Sequence, residues 1–296
     1  MSRVSVGISV YDMRARDVLA MAVAADEAGF DAIWLGEHIV LPVGYSAEHP
    51  TAGTAAHRIS GPIVKADTEL LDPWVQLGAV AGATARLHLA TGIYLLPLRH
   101  PLITARSAHT LQEASGGRLR LGIGAGWLTE EFAALAVPFE ERYGRLVETI
   151  EIVRAAWAGG PFDYHGKHFS FDLVELSARP VHVPLIMGGN TPRALKRAAL
   201  LGDGWFSSGT PSFDDARRLR DALLDLRGRH GLTTPYHCYF RIEHADPTLV
   251  ERYRAEGIDD VVIWADQLWP STGDLEAKRR VLADNANALG LTTPLR

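Results

Sequence analysis

One unit recurs along this sequence from end to end: a short apolar run rich in β-formers, a turn, and an amphipathic stretch that ends near glycine. In its first copy a strand is predicted over 4–10 and a helix over 16–28, where Gly29 is typical of a helix C-cap. Eight such pairs in 296 residues favour a closed (β/α)8 barrel over a doubly wound open sheet. No linker or break in composition divides the chain, so we expect a single domain over 1–296.

The predicted elements alternate strictly between strand and helix. The strands are predicted over 4–10, 31–38, 87–96, 118–124, 184–189, 204–209, 236–243 and 260–265. The helices are predicted over 16–28, 73–83, 102–114, 140–157, 192–201, 213–229, 247–255 and 275–289. Two segments interrupt the repeat, a long loop over 39–71 and a polar, aromatic stretch over 159–183 whose alternation predicts a hairpin. The prediction is therefore a TIM barrel with insertions after strand 2 and helix 4.

Composition excludes several classes of partner. A formal net charge of -5 argues against sequence-independent binding to nucleic acid or to an anionic membrane. No apolar run reaches the roughly 20 residues that a membrane span needs. Cys238 is the only cysteine and the 12 histidines are scattered, so neither a disulfide nor a dedicated metal site is expected. These features predict a cytoplasmic protein without a nucleic-acid or membrane partner.

Polar residues at the end of the second strand are the first candidates for chemistry, because barrel enzymes carry their catalytic groups at the C-terminal ends of strands. Glu37 and His38 directly follow an apolar run. We expect His38 to act as an acid, a base or a hydrogen-bond donor, and Glu37 to anchor a hydroxyl or to orient the histidine. A satisfied polar rim is the alternative. The long loop that follows is a candidate lid, and it carries His49, His57, Arg58 and Lys65.

Two glycine-rich turns are candidates for ligand binding. The run Gly122–Gly126 is only superficially like a dinucleotide fingerprint, since its glycine spacing differs and no helix opens there. It favours close approach of a planar ring, or, for Gly124, packing within the barrel. The run Gly188-Gly189-Asn190-Thr191 stands before a helix with Pro192 near its first position. Free backbone N–H groups and the helix dipole there predict an anion site, with an ordinary capped turn as the alternative.

Together these stretches resemble the luciferase-like monooxygenase superfamily, and in particular its branch that uses the deazaflavin coenzyme F420. The matching stretches follow one another in the expected order over nearly the whole chain: Trp34–His38, Thr91–Pro97, Ser115–Leu119, Leu121–Trp127, Glu130–Phe132, Gly188–Asn190 and Gly202–Trp205. The resemblance implies a (β/α)8 barrel, usually a homodimer, with the cofactor bound across its mouth.

The resemblance also implies roles for particular residues. Glu37 and His38 match an acidic residue and a histidine of the family's active site. Gly92-Ile93 matches a bulge with a non-proline cis peptide bond in the third strand. The implied contacts with the cofactor come from Glu37, Gly92, Ile93, Leu95, Ala125 and Gly126, and the implied phosphate site from Gly188, Gly189, Asn190 and Thr191.

Two departures from the family pattern bear on the substrate. The glucose-6-phosphate dehydrogenases of this branch have a glutamate acid where this chain has Trp127, and a tryptophan where it has Pro42. A bulkier, more apolar substrate fits Trp127 better than a sugar phosphate does. Because F420 carries a phosphate and a polyglutamate tail, a basic groove is expected from Arg58, Lys65, Arg99, His100 and Arg193.

The sequence therefore predicts an F420-dependent oxidoreductase that passes a hydride between the deazaflavin and a small organic substrate. An FMN-dependent monooxygenase that activates oxygen is the principal alternative. A barrel that binds a ligand without catalysis is another. A phosphosugar isomerase or aldolase would need a lysine or a carboxylate cluster at the mouth, and no predicted strand end carries either.

Overall fold

Eight parallel strands form a closed barrel in the computed structural model, which describes residues 4–54, 56–57, 65, 67–177 and 179–291. In chain order the strands are β1 (Ser5–Val10), β2 (Ala32–Leu35), β3 (His88–Thr91), β4 (Tyr94–Leu95), β5 (Leu119–Gly124), β6 (Pro161–His165), β7 (Ser170–Glu175), β8 (Leu185–Gly188), β9 (Gly204–Phe206), β10 (His237–Arg241) and β11 (Asp260–Trp264). Parallel pairing runs through β1, β2, β3, β5, β8, β9, β10 and β11 and returns to β1. The predicted (β/α)8 fold is confirmed.

Helices connect the strands and surround the barrel. They are α1 (Ala15–Ala28), α2 (Pro73–Ala83), α3 (Pro101–Ala114), α4 (Thr129–Ala134), α5 (Arg142–Trp157), α6 (Pro192–Leu201), α7 (Phe213–Arg229), α8 (Pro247–Ala255), α9 (Ala265–Leu268) and α10 (Leu275–Ala288), with 3-10 turns at Leu96–Leu98 and Phe139–Glu141. The Asp72 carboxylate caps α2 by accepting a hydrogen bond from Val75 N at 3.0 Å. Within the described ranges, no helix combines the length and apolar character needed to cross a membrane.

Three differences from the predicted elements matter for the site. The second strand ends at Leu35, so residues 36–38 leave the barrel wall and can face its mouth. The third strand is interrupted between Thr91 and Tyr94, where the chain bulges before it resumes as β4. The short helices α4 and α9 were not predicted, because six and four residues are too few to show a helical apolar period. The hairpin of β6 and β7 is present as predicted and is antiparallel.

Aromatic side chains fill the centre of the barrel. The ring of Trp34 stacks on Phe206 at 4.7 Å and lies against Tyr239 at the same distance. Beside these rings, Gly122 lets its strand approach the backbone of the next one, since a Cβ there would lie 1.8 Å from the carbonyl oxygen of Thr91. Because the interior is packed, a ligand has space only beyond the strand ends, as is usual in this fold.

Candidate active site

A cavity of about 260 Å³ opens at the C-terminal ends of the barrel strands. The residues to which the resemblance gave roles in catalysis, in contacts with the cofactor ring and in the phosphate site all line it: Glu37, His38, Gly92, Ile93, Leu95, Ala125, Gly126, Gly188, Gly189, Asn190 and Thr191. The predicted set is therefore brought together in one place, although its members are spread over most of the chain.

The bulge in the third strand contains the predicted cis peptide bond between Gly92 and Ile93. The Ile93 side chain lies against two glycines of neighbouring strands. A Cβ on Gly124 would stand 2.3 Å from Ile93 Cδ1, and one on Gly188 would stand 3.1 Å from Ile93 Cγ2. Gly124 thus provides packing space within the barrel, one of the two roles left open by the sequence, while it also lines the cavity.

The Glu37 carboxylate forms a buried ion pair that holds the bulge in place. It accepts hydrogen bonds from Arg99 Nη1 at 2.9 Å, Arg99 Nη2 at 2.8 Å and Leu95 N at 2.6 Å. Burial raises the pKa of Glu37, against the lowering effect of the Arg99 charge. The expectation that Arg99 contributes free charge to a basic groove is wrong, because its guanidinium is engaged by Glu37.

His38 is oriented by a different carboxylate, that of Glu131 on α4. Its Nδ1 lies 2.8 Å from Glu131 Oε2, and Glu131 Oε1 accepts a hydrogen bond from Ile39 N at 2.5 Å. Since an ionised carboxylate only accepts, Nδ1 carries the hydrogen and Nε2 is left for a ligand. The suggestion that Glu37 orients the histidine is wrong. The role of Glu131 was missed, because its contact with His38 spans 93 residues.

The long loop after β2 forms a roof over part of the cavity; we call residues 45–54 and 56–57 the roof segment. It is tied down at both ends, by Ser46 N donating to Glu130 Oε1 at 2.8 Å and by Thr210 N donating to the Ala56 carbonyl at 2.8 Å. His49 and His57, which the sequence placed in this loop, line the cavity. Lys65 is not among the lining residues, and Arg58 lies outside the described residues.

Trp127 brings an aromatic surface to the roof side of the cavity. Its ring makes edge contacts with Tyr45 at 5.7 Å, His49 at 5.1 Å and His38 at 5.9 Å. Burial, with smaller contributions from His57, His38 and Arg241, lowers the pKa of His49 to about 4, so this imidazole is neutral at physiological pH. The roof side is therefore aromatic around Trp127, and His49 adds no charge to it.

The glycine-rich loop after β8 has the geometry of an anion site. Gly189 adopts a positive φ of 107°, and the loop runs directly into α6, capped by Thr191 Oγ1 accepting from Ala194 N at 3.2 Å. The Asn190 amide is engaged with the backbone of Ser208, donating at 2.9 Å and accepting at 2.8 Å. Backbone N–H groups at the positive end of the helix dipole are thus the groups that this loop offers to an anion.

An unpaired hydroxyl lies at the same place. Ser207, directly after β9, lines the cavity, and its Oγ is buried without a hydrogen-bond partner among the described residues. A buried polar atom without a partner is costly and usually marks a ligand or water position. The donor set therefore fits the phosphate of a flavin-type cofactor.

Positive charge near this loop comes from arginines that the sequence analysis largely missed. Arg197 lines the cavity, 4.5 Å above the Tyr143 ring. Burial lowers the pKa of Arg197, and the nearby cations Arg142 and Arg193 lower it further. Of the residues predicted for a basic groove, Arg193 belongs to this cluster, whereas His100 caps α3 by accepting from Leu102 N at 3.3 Å. Arg241 and Trp264 also line the cavity without having been assigned to it.

Sequences of known proteins resemble this chain over most of its length. Residues 1–256 match the sequence model of a family described as luciferase-like monooxygenase. A Mycobacterium tuberculosis protein described as uncharacterised is 35% identical over 222 residues, which cover 72% of this chain and 75% of that protein. The F420-dependent glucose-6-phosphate dehydrogenase of Beutenbergia cavernae is 33% identical over 210 residues, 69% of this chain and 56% of that enzyme.

Solved structures share the barrel. A monooxygenase from Streptomyces bottropensis superposes with a TM-score of 0.73 at 20% identity, over 96% of this chain and 98% of that one. An F420-dependent secondary alcohol dehydrogenase, solved with an F420-acetone adduct, gives a TM-score of 0.73 at 18% identity, over 97% and 99%. At such identities the likeness shows the shared fold.

Proposed function

This chain belongs to the luciferase-like monooxygenase family, and from that premise we propose that it is an F420-dependent oxidoreductase acting on a small organic substrate. The observation that carries the choice of F420 is Arg197, which lines the same cavity as the phosphate loop, with Arg142 and Arg193 near enough to lower its pKa. FMN carries a single phosphate, and the backbone N–H groups of the loop after β8 suffice to bind it. F420 also carries a polyglutamate tail, and its carboxylates can pair with these three arginines.

The residues of the cavity divide the binding task between them. In this proposal the N–H groups of residues 189–191 and the Ser207 hydroxyl bind the cofactor phosphate, and Ile93 lies behind the ring. When bound, the deazaflavin accepts or donates a hydride, which is chemistry that the protein itself does not supply. The chain contributes orientation, exclusion of water by the roof segment, and a proton carrier.

His38 is the proposed proton carrier. Glu131 fixes its ring through Nδ1, so Nε2 can take a proton from a substrate hydroxyl or return one to a carbonyl oxygen as the hydride moves. Beside it, Trp127 and the neutral His49 give the substrate an apolar, uncharged surface. A compact alcohol or carbonyl compound suits this surface better than a sugar phosphate.

Fluorescence titration of the purified protein with F420 and with FMN tests the cofactor. We expect F420 to bind more tightly than FMN, and its binding to weaken with salt, since exposed charges are screened over about 8 Å at physiological ionic strength. As a control for non-specific charge effects, Arg179→Met removes an exposed cation that does not line the cavity, and it should leave the affinity for F420 unchanged. Tight FMN binding without measurable F420 binding would favour the flavin-dependent monooxygenase instead.

Replacement of Glu131 by glutamine tests how His38 is positioned. We expect kcat to fall on the order of tenfold, as for other partners that orient a functional histidine, and the acidic limb of the kcat against pH profile to move. The neutral amide can present an NH2 group to Nδ1, which favours the other tautomer. The matched control is Glu130→Gln, whose carboxylate contacts Ser46 instead. An unchanged pH profile in the Glu131 variant would show that this carboxylate is only structural.

A further inference from the structure

Arg241 is a buried cation that lines the cavity, and its hydrogen-bond partners among the described residues are neutral. It ends β10, is 8% exposed and lines the cavity. Its Nε donates to Ser9 Oγ at 2.8 Å, and its Nη2 donates to the Gly92 carbonyl at 2.9 Å. No carboxylate among the described residues pairs with it. An arginine buried this far is rare unless an anion pairs with it.

Two aromatic rings also fix the orientation of the Arg241 guanidinium. It lies 4.3 Å from the Phe206 ring centroid and 4.8 Å from that of Trp264. Trp264 is itself fixed by Nε1 donating to Thr210 Oγ1 at 2.9 Å. Burial lowers the pKa of Arg241 to about 9, so the folded protein carries a desolvation cost that a bound anion would offset.

The acidic groups that face the cavity are already engaged. Glu37 pairs with Arg99, and Glu131 accepts from His38. Arg197 lies beside the phosphate loop, whereas Arg241 lies beside Gly92, the first residue of the cis peptide bond. The two cations therefore lie at different parts of the cavity, and Arg241 is the one next to the bulge.

We propose that Arg241 binds the negative charge that the pyrimidine end of the cofactor ring acquires on reduction. A hydride arrives with the electron pair of the broken substrate C–H bond and forms a new bond at the reactive ring position. The displaced pair is then delocalised over N1 and the neighbouring carbonyl, a planar anion that a planar guanidinium matches. The inference rests on the proposed function, but it holds for F420 and FMN alike, because both rings share this pyrimidine.

The test compares affinities for oxidised and reduced cofactor, measured anaerobically by fluorescence for the wild type, Arg241→Met and Arg241→Lys. We expect Arg241→Met to weaken binding of the reduced form about tenfold more than binding of the oxidised form. This ratio corresponds to a bound reduction potential lower by about 30 mV. Arg241→Lys keeps the charge and should fall between. The matched control is Arg120→Met, a half-buried barrel arginine outside the cavity, which should leave the ratio unchanged.

A measurement on the wild type covers the case in which Arg241→Met does not fold. In the wild-type complex, the reduced cofactor should stay anionic to a lower pH than the free reduced cofactor does. Its absorbance, recorded as a function of pH, reports the protonation. Equal weakening of both redox states, or protonation at the same pH as the free cofactor, would overturn the inference. So would an effect confined to the KM of a carboxylate substrate. If the wild type binds neither F420 nor FMN, the proposed function itself fails.

Discussion

Replacement of His38 by alanine is expected to lower kcat by about 10²–10⁴-fold, the usual contribution of a general acid–base group. The His38 side chain lines the cavity, and Glu131 holds its ring so that Nε2 is the nitrogen left for a reacting group. Loss of the imidazole removes the proton carrier, while Glu131 keeps its hydrogen bond from Ile39 N. Steady-state kinetics and thermal unfolding of the same preparation measure both effects, and we expect only a small change in Tm.

Two companion variants separate chemistry from packing. His38→Asn can still donate to Glu131 through its amide, so it should be as stable as the wild type and as inactive as the alanine variant. His165→Ala removes an exposed imidazole from the hairpin of β6 and β7 and should leave kcat unchanged. If His38→Ala unfolds while its native fraction keeps full turnover, His38 is a packing residue and the acid–base role is lost.

Much of the fold was predictable, because its elements carry strong local signals. Helices α2 and α6 begin at the predicted residue, since a capping side chain followed by proline fixes a helix start without tertiary contacts. The same local chemistry indicated the anion loop, where glycine, a capping threonine and proline follow a strand. The cis bond at Gly92 came from the resemblance to a family, and the glycine alone would have suggested only a bulge.

The pairing of charged side chains could not be predicted, since it depends on contacts between distant parts of the chain. Arg241 reaches the Gly92 carbonyl across 149 residues, and Glu131 reaches His38 across 93. Arg99 was likewise predicted to contribute a free positive charge because it follows a strand. The sequence does not show that Glu37 neutralises this charge. The positions of candidate site residues were thus accessible from the sequence, whereas their hydrogen-bond partners were not.

Substitution of Gly189 by valine is expected to weaken cofactor binding by about tenfold to a hundredfold. Gly189 has a φ of 107°, and a Cβ there would lie 3.0 Å from Ala194 Cβ in the first turn of α6. A β-branched residue in this conformation costs about 1–3 kcal/mol of strain. Relief of that strain would turn the loop so that its N–H groups no longer converge on an anion. Titration with cofactor, with and without sulfate as a competitor, measures the loss.

A second glycine separates lost binding from backbone strain. Gly231, just beyond α7, has a φ of 70° and no atom within 4 Å of a Cβ placed on it. Gly231→Val should therefore lower Tm through the same kind of strain and leave cofactor affinity and sulfate competition unchanged. Sulfate should compete in the wild type and in Gly231→Val, and only weakly in Gly189→Val, because its binding site is then disrupted. If Tm falls by the same amount in both variants and both bind the cofactor as tightly as the wild type does, the phosphate binds elsewhere on the barrel.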